Sequence, residues 1–309
     1  MYQLFDIFMK LLPLRLIQAF TNTFYLRGVP NLLYKFRVFF KKKSNTYDLL
    51  KGYRLRLNLD DYFENTALWG YYETPVLGVL NKVLKKGDYY VDVGCNKGLI
   101  AVEAASLIGE TGQVICFEAN PQLKDTIDHN FLINNFNHYT LINKPLSDKE
   151  SLVRFAVGEQ DAFSKIVSAD QKNSFVIKEH LELTTITFDE YILGNKLGSE
   201  KISTIKIDAE GHDINVVIGM QNYLHDNQAT IIFEYSCDQI EQVSALEAIV
   251  NKLSYDIFLI KSGIINKIFT KRKFFLEAIT FQDLKNVSYS DVLMVSKNNQ
   301  EHRNALTIH

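Results

Sequence analysis

From about residue 70 the chain alternates short β-rich apolar runs with helical segments, and this alternation restricts the fold more than any other feature. Thr74-Pro75 can open a helix, because proline is favoured at a first helical position. Val76, Leu77, Leu80, Val83 and Leu84 give that helix an apolar face, and Gly87-Asp88 ends it. A strand follows at 89–93, a helix at 99–108, a strand at 113–117, a helix at 123–134 and a strand at 139–143. Further strands are expected at 204–207, 230–233, 257–260 and 292–295. Strands separated by helices imply an α/β fold, a mostly parallel, doubly wound sheet with helices on both faces. Right-handed crossovers place the carboxyl ends of such strands on one rim, where ligands bind. Residues that carry chemistry should therefore follow strands directly.

Composition narrows the rest. The 309 residues are 47% hydrophobic and 23% charged, which excludes a disordered chain. A net charge of −2 argues against a protein that coats nucleic acid, so no nucleic-acid partner is expected. Cys95, Cys116 and Cys237 are odd in number and lack CxxC spacing, which argues against a disulfide framework or zinc knuckle and suggests a reducing, cytoplasmic compartment. No run of 18 uncharged apolar residues predicts a membrane-spanning helix. The start lacks a basic n-region, and Lys10, Pro13 and Arg15 interrupt its apolar run, so a cleaved signal peptide is not expected.

Residues 1–60 form a basic, helical N-terminal extension in this reading, broken near Pro13 and Gly28-Val29-Pro30. Residues 53–59 alternate as a half-buried strand does. The first 51 residues carry nine basic side chains against Asp6 and Asp48, a net of +7, so the remainder is near −9. The extension is expected to pack on the main domain and expose its lysines; a peripheral contact with an anionic membrane is the alternative.

The sharpest motif is Val91-Asp92-Val93-Gly94-Cys95-Asn96-Lys97-Gly98, where a buried strand ends at an acid and enters G-x-x-x-G at a helix start. Gly94 and Gly98 allow a tight turn and close backbone approach to a ligand. Asp92 lies too near the strand to cradle pyrophosphate, and its charge suits a cationic or hydroxyl-bearing ligand. Glu118, 26 residues later, ends the next strand, where an acid can accept hydrogen bonds from both ribose hydroxyls of an adenosine. S-adenosylmethionine combines ribose hydroxyls, an ammonium and a sulfonium, whereas NAD would call for G-x-G-x-x-G. The third motif is Ile205-Lys206-Ile207-Asp208-Ala209-Glu210-Gly211-His212-Asp213. A helix cap made by Asp208 or Asp213 would explain one acid. It does not explain Lys206 inside a strand, because buried charge needs a partner.

These runs, together with Phe117-Glu118-Ala119-Asn120-Pro121 and Thr187-Phe188-Asp189, resemble the FkbM family of S-adenosylmethionine-dependent methyltransferases over about residues 70–240. The resemblance implies a class I Rossmann-like fold at residues 70–300 and O-methylation of a sugar, glycan or secondary metabolite. It assigns Asp92, Gly94, Asn96 and Gly98 to the cofactor loop, Glu118 to the ribose, and Asp208 with Glu210 to the reaction centre. Tyr72-Glu73-Thr74-Pro75 resembles the stretch before the family's first strand, which adds Glu73 to the cofactor-binding set. Cys95 replaces the family's common alanine and Ala119 its proline, while the position of His212 varies in the family.

Methyl transfer from a sulfonium is an in-line displacement dominated by alignment. Asp208 is the first candidate for the base that removes the hydroxyl proton, and His212 the second. Lys206 and Glu234 belong to the acceptor side in this reading, with Glu234 contacting acceptor or Lys206. Asp208, His212 and Glu234 have the donor types of a divalent metal site, but nothing in their spacing demands one, and no metal is expected. A catalytically idle docking module and a nicotinamide oxidoreductase are the alternatives to a methyltransferase.

Overall fold

The computed structural model describes residues 14–24, 28–159, 164–167, 176–195, 201–263 and 273–308. Lys10, Pro13 and Arg27 lie outside them. The strands are β1 (Thr46–Asp48), β2 (Arg54–Arg56), β3 (Tyr89–Val93), β4 (Gln113–Phe117), β5 (Tyr139–Ile142), β6 (Leu152–Gly158), β7 (Lys165–Val167), β8 (Ile177–Thr184), β9 (Ile202–Ile207), β10 (Thr230–Ser236), β11 (Tyr255–Gly263), β12 (Lys273–Ala278) and β13 (Tyr289–Ser296). Eight form the central sheet, in the order β12-β11-β13-β10-β9-β3-β4-β5.

The run from β5 to β10 pairs in parallel, as the helix-separated pattern requires. The expected strand at 292–295 departs from it. β13 inserts between β10 and β11 and runs antiparallel to both, and β12 pairs antiparallel to β11. Not every carboxyl end therefore reaches one rim; there β13 presents its beginning, with Asp291 opposite Glu234 and Tyr289 opposite Ser236. Antiparallel pairing needs no crossover helix, so nothing in the helix–strand rhythm announced it.

The sheet faces are assigned by the two-residue period of the strands. On β3, Tyr90 joins one apolar cluster while Val91 and Val93 join the other. Asp92 takes the Tyr90 face, opposite Lys206 of β9. Glu234 and Asp291 share that face, since their neighbours two residues away, Ile232 and Leu293, belong to the same cluster as Tyr90. The helix Thr74–Val83 covers this face with Val76, Val79, Leu80 and Val83. Glu73, just before it, holds left-handed backbone at φ 44°, and Pro75 sits in its first turn. The helix Leu99–Ile108 starts from Gly98 at φ 74° and stops at Gly109.

The N-terminal helices Leu14–Thr23 and Val29–Lys35 form either side of Gly28, as the break predicts. Only residues 54–56 of the alternating run are strand, yet Tyr53, Leu55, Leu57 and Leu59 are all buried. With Tyr47 and Trp69 they enter the same cluster as Val102 and Phe131 of the helices below. Each such burial contributes about 1.5–3 kcal/mol. Asn134 and Asn130 Oδ1 accept the Arg54 and Arg56 N–H groups at 2.7 Å, and Glu103 accepts the Tyr53 hydroxyl at 2.8 Å. A separate antiparallel sheet, β7-β6-β8, rises between β5 and β9. No strand is expected there from apolar content, because β8 alternates half-buried with exposed side chains and buries neither face fully.

Candidate active site

The loop after β3 is clamped between β4 and β9. Gly94 and Cys95 N–H donate to the Phe117 carbonyl at 2.8 and 3.1 Å, and Asp208 N–H donates to the Val93 carbonyl at 2.9 Å. Gly94 has φ 71°, and a Cβ there would lie 1.9 Å from the Asp208 carbonyl oxygen, so only glycine fits. Glu118 bridges the loop to its own turn: Asn96 N–H donates to Oε2 at 2.7 Å and Asn120 N–H to Oε1 at 2.8 Å. Asp92 is 1% exposed, and neither of its oxygens has a hydrogen-bond partner among the described residues. Lys206 Nζ stands 3.6 Å from its Oδ1.

Both acids line one cavity of about 300 Å³, together with Gly94, Asn96, Lys206, Asp208, Glu210, His212 and Glu234. Glu73 lines it from the covering helix, Phe155 and Ile166 from β6 and β7, and Tyr289 from β13. Gly98 stands at the start of the helix behind the loop, its Cβ position 3.5 Å from Ile127. The two carboxylates thus face one hollow. Each Glu118 oxygen keeps a lone pair beyond its one N–H, and Asp92 adds a second carboxylate to the same wall, which fits a ligand bearing both a cation and hydroxyls.

At the other end of the cavity Lys206, His212 and Glu234 are paired with side chains. Lys206, 4% exposed, donates to Asp208 Oδ2 at 3.0 Å, so the buried charge has two acidic neighbours. Asp213 is the loop's internal cap: Ala209 and Gly211 N–H donate to its oxygens at 3.0 and 3.1 Å. Asp189 does the same for the next helix, accepting from Tyr223 and Asn222 N–H at 2.8 and 3.1 Å. His212 Nε2 lies 2.8 Å from Ser147 Oγ. The described partner of Glu234 is the Tyr289 hydroxyl rather than Lys206. Among the described residues no three His, Cys, Asp or Glu side chains gather as a metal ion needs.

The family model of the methyltransferase FkbM domain matches residues 92–257, more than half of the chain. This chain belongs to the FkbM methyltransferase family. It is an S-adenosylmethionine-dependent methyltransferase, which displaces the oxidoreductase alternative. No curated protein matches it. Solved structures similar to it include a methyltransferase FkbM from Methylobacillus flagellatus, with 13% identity, 77% of this chain and 56% of that one covered, and a TM-score of 0.41. An O-methyltransferase from Thermotoga maritima has 12% identity, 85% and 82% coverage, and a TM-score of 0.40. A precorrin-6y C5,15-methyltransferase from Geobacter metallireducens has 11% identity, 73% and 88% coverage, and a TM-score of 0.39.

Burial dominates the electrostatics of this FkbM site. It pushes Asp92 up to about 6 against the pull of Lys206, and Glu118 up to about 7 against its two backbone N–H donors. Glu73 rises to about 7 through burial and the charges of Asp291 and Asp208. Glu210 rises to about 8 and Glu234 to about 9, both through burial first and the Asp208 charge second. Burial lowers His212 below the ordinary imidazole value, so the ring is neutral at neutral pH. Glu73, Asn96 and Glu210 are non-glycine residues at φ 44°, 50° and 51°, and all three line the cavity. Such backbone costs about 1–3 kcal/mol each and gathers where ligands are held.

Tyr289, Asp291 and Ser147 were missed because they reach the site through an antiparallel strand and a loop without a motif. Glu64 and Lys97, paired at 2.5 Å, tie the glycine loop to the helix Tyr62–Leu68. No motif marks Glu64, which stands 33 residues before its partner.

Proposed function

We propose that this methyltransferase methylates a hydroxyl of a sugar, glycan or secondary metabolite. In this reading Asp92, Gly94, Asn96, Gly98, Glu118 and Glu73 hold the donor, and Asp208, Glu210 and His212 form the transfer centre. The observation that carries it is a neutral, half-buried imidazole on the wall of the cavity that also holds the Asp208 carboxylate. S-adenosylmethionine supplies a methyl carbon already activated on a sulfonium, so the chain's tasks are alignment and removal of a proton.

Glu118 accepts the ribose hydroxyls, and the Asp92 carboxylate lies toward the cationic end of the donor. Lys206 occupies Asp208 Oδ2 and leaves Oδ1 to orient the acceptor hydroxyl. That pairing makes His212 the better proton acceptor and reverses the order in which the sequence ranks the two. His212 takes the hydroxyl proton as the O–C bond forms and the C–S electron pair returns to sulfur. Phe63, Tyr72 and Phe155 on the cavity wall support a ring-shaped acceptor, because aromatic faces stack on sugars and planar rings. Mass spectrometry of the host's glycans and small metabolites, with and without the protein, tests the reading. A gain of one methyl on oxygen is expected, and methyl found only on nitrogen or carbon overturns it.

We also propose a peripheral contact of the N-terminal region with anionic lipid. Leu16 and Val38 are 57% and 58% exposed, Phe20 is exposed, and Lys41, Lys42 and Lys43 all face solvent. No described helix is long and apolar enough to cross a membrane. Exposed apolar side chains with basic neighbours in sequence suit the interface of a charged bilayer. Co-sedimentation with phosphatidylserine vesicles should weaken in a Phe20→Ser, Val38→Ser variant; equal co-sedimentation sinks the idea.

A further inference from the structure

Asp148, Ser147 and His212 form a chain at the cavity wall that neither the motifs nor the family assignment singles out. Ser147 is 3% exposed. Its backbone is held by its N–H to the Ile186 carbonyl at 3.0 Å. Gly219 allows this loop to come close, since a Cβ there would lie 2.0 Å from the Ser147 carbonyl oxygen. Ser147 Oγ is 2.9 Å from Asp148 Oδ1 and 2.8 Å from His212 Nε2.

Proton counting settles the direction of these bonds. A serine hydroxyl has one proton to give, and an ionised carboxylate can only accept. Burial works against the charge of Asp148, but hydrogen bonds from Ser147 and Asn215 hold it below the usual carboxylate range, so it is ionised at neutral pH. The Ser147 proton therefore goes to Asp148. Ser147 Oγ must then accept from His212, and Nε2 carries the hydrogen. A neutral imidazole has one N–H, which leaves Nδ1 with its lone pair. No described hydrogen bond engages Nδ1, and His212 lines the donor cavity.

We propose that Asp148 and Ser147 are positioning residues that fix the tautomer of His212, making Nδ1 the atom that receives the acceptor's proton. The inference rests on the base role given to His212 above. In the transfer step the acceptor O–H bond breaks toward Nδ1, and the positive imidazolium that results sits at the end of a chain terminating in the Asp148 anion. A wrong tautomer at such a base disables it even where the geometry is kept.

Imidazole nitrogen NMR on the full-length protein at about pH 8, above the ordinary imidazole range, reads the tautomer without any acceptor. The His212 signal is assigned by its loss in His212→Asn. The expected result is hydrogen on Nε2 in the wild type and in Ser147→Thr, with a shift toward the Nδ1–H form in Ser147→Ala. Asp148→Asn should shift it the same way, since an amide can donate to Ser147. Hydrogen on Nδ1 in the wild type, or an unchanged tautomer in Ser147→Ala, overturns the proposal. The base role has a separate readout: His212→Asn should cut methyl transfer about 10²-fold or more. Full transfer by that variant overturns the role given to His212, and with it the proton's destination, whatever the tautomer.

Discussion

The two ends of the cavity are built by different means. At the donor end, beyond β3 and β4, the carboxylate of Glu118 is held by backbone N–H groups of contiguous loops. At the transfer end, beyond β9, β10 and β13, Lys206 meets Asp208, Tyr289 meets Glu234, and His212 meets Ser147, side chain to side chain. Backbone partners do not change when a residue is exchanged, whereas side-chain partners do. The proposed donor end is thus set more by backbone geometry, and the proposed transfer end more by which side chains stand there.

Gly94→Ala should have the largest effect, because the added carbon meets the Asp208 carbonyl and the φ of 71° disfavours any side chain. A loss of about 3 kcal/mol or more in stability, read as a fall in melting temperature, is expected together with loss of S-adenosylhomocysteine binding. A stable variant that binds normally would mean that the two ends are not clamped to each other. Glu118→Ala comes next. Removing an acceptor of two backbone N–H groups, proposed above to hold the ribose, should weaken S-adenosylhomocysteine about 10²-fold by calorimetry, with the fold intact by circular dichroism. Unchanged affinity would erase the donor end as described.

Asp208→Asn sharpens the contrast from the other side. Turnover should fall at least about tenfold while affinity for S-adenosylhomocysteine stays within about a factor of two. An equal loss in both would merge the ends into one unit. The stability of the unliganded protein should also depend on pH. Glu118, Glu73 and Asp213 near 7, Glu210 near 8 and Glu234 near 9 are all raised above 4.5 or 3.8, the ordinary values for these acids. The folded state thus holds these protons more tightly than the unfolded one. The stability they contribute is complete below the ordinary carboxylate range and is lost as pH rises through about 7 to 9. Melting temperature should fall from pH 6 to pH 9, and Glu234→Gln should flatten the upper part of that fall. A melting temperature that rises over this interval would break the account of both ends.

The legibility of the site follows the same division. The helix at 99–108 and the strands at 89–93 and 113–117 were readable to the residue, because each is a contiguous apolar run bounded by glycine or a turn. Glu118 and the glycine loop were readable because a parallel strand's carboxyl end is a fixed place on the rim. Asp213 as a cap was foreseeable from its position in the third motif, and Lys206 announced that it needed an acid. Tyr289 and Asp291 were not, because β13 enters antiparallel and offers its first residues instead of its last. Ser147 was not, because only the close approach allowed by Gly219 brings it to His212. The sheet β6–β8 went unseen because β8 alternates half-buried with exposed side chains and no described helix separates its strands.

The residues in order determined the alternation of strand and helix, the glycine turn, and the acids that follow β3, β4 and β9, since all of these depend on neighbours a few positions apart. Folding in three dimensions decided which way β13 runs, what covers the cavity, and which nitrogen of His212 carries hydrogen. Those depend on contacts between residues as distant as Ser147 and His212, or Glu234 and Tyr289, and no local preference for helix, strand or turn encodes who will stand opposite whom.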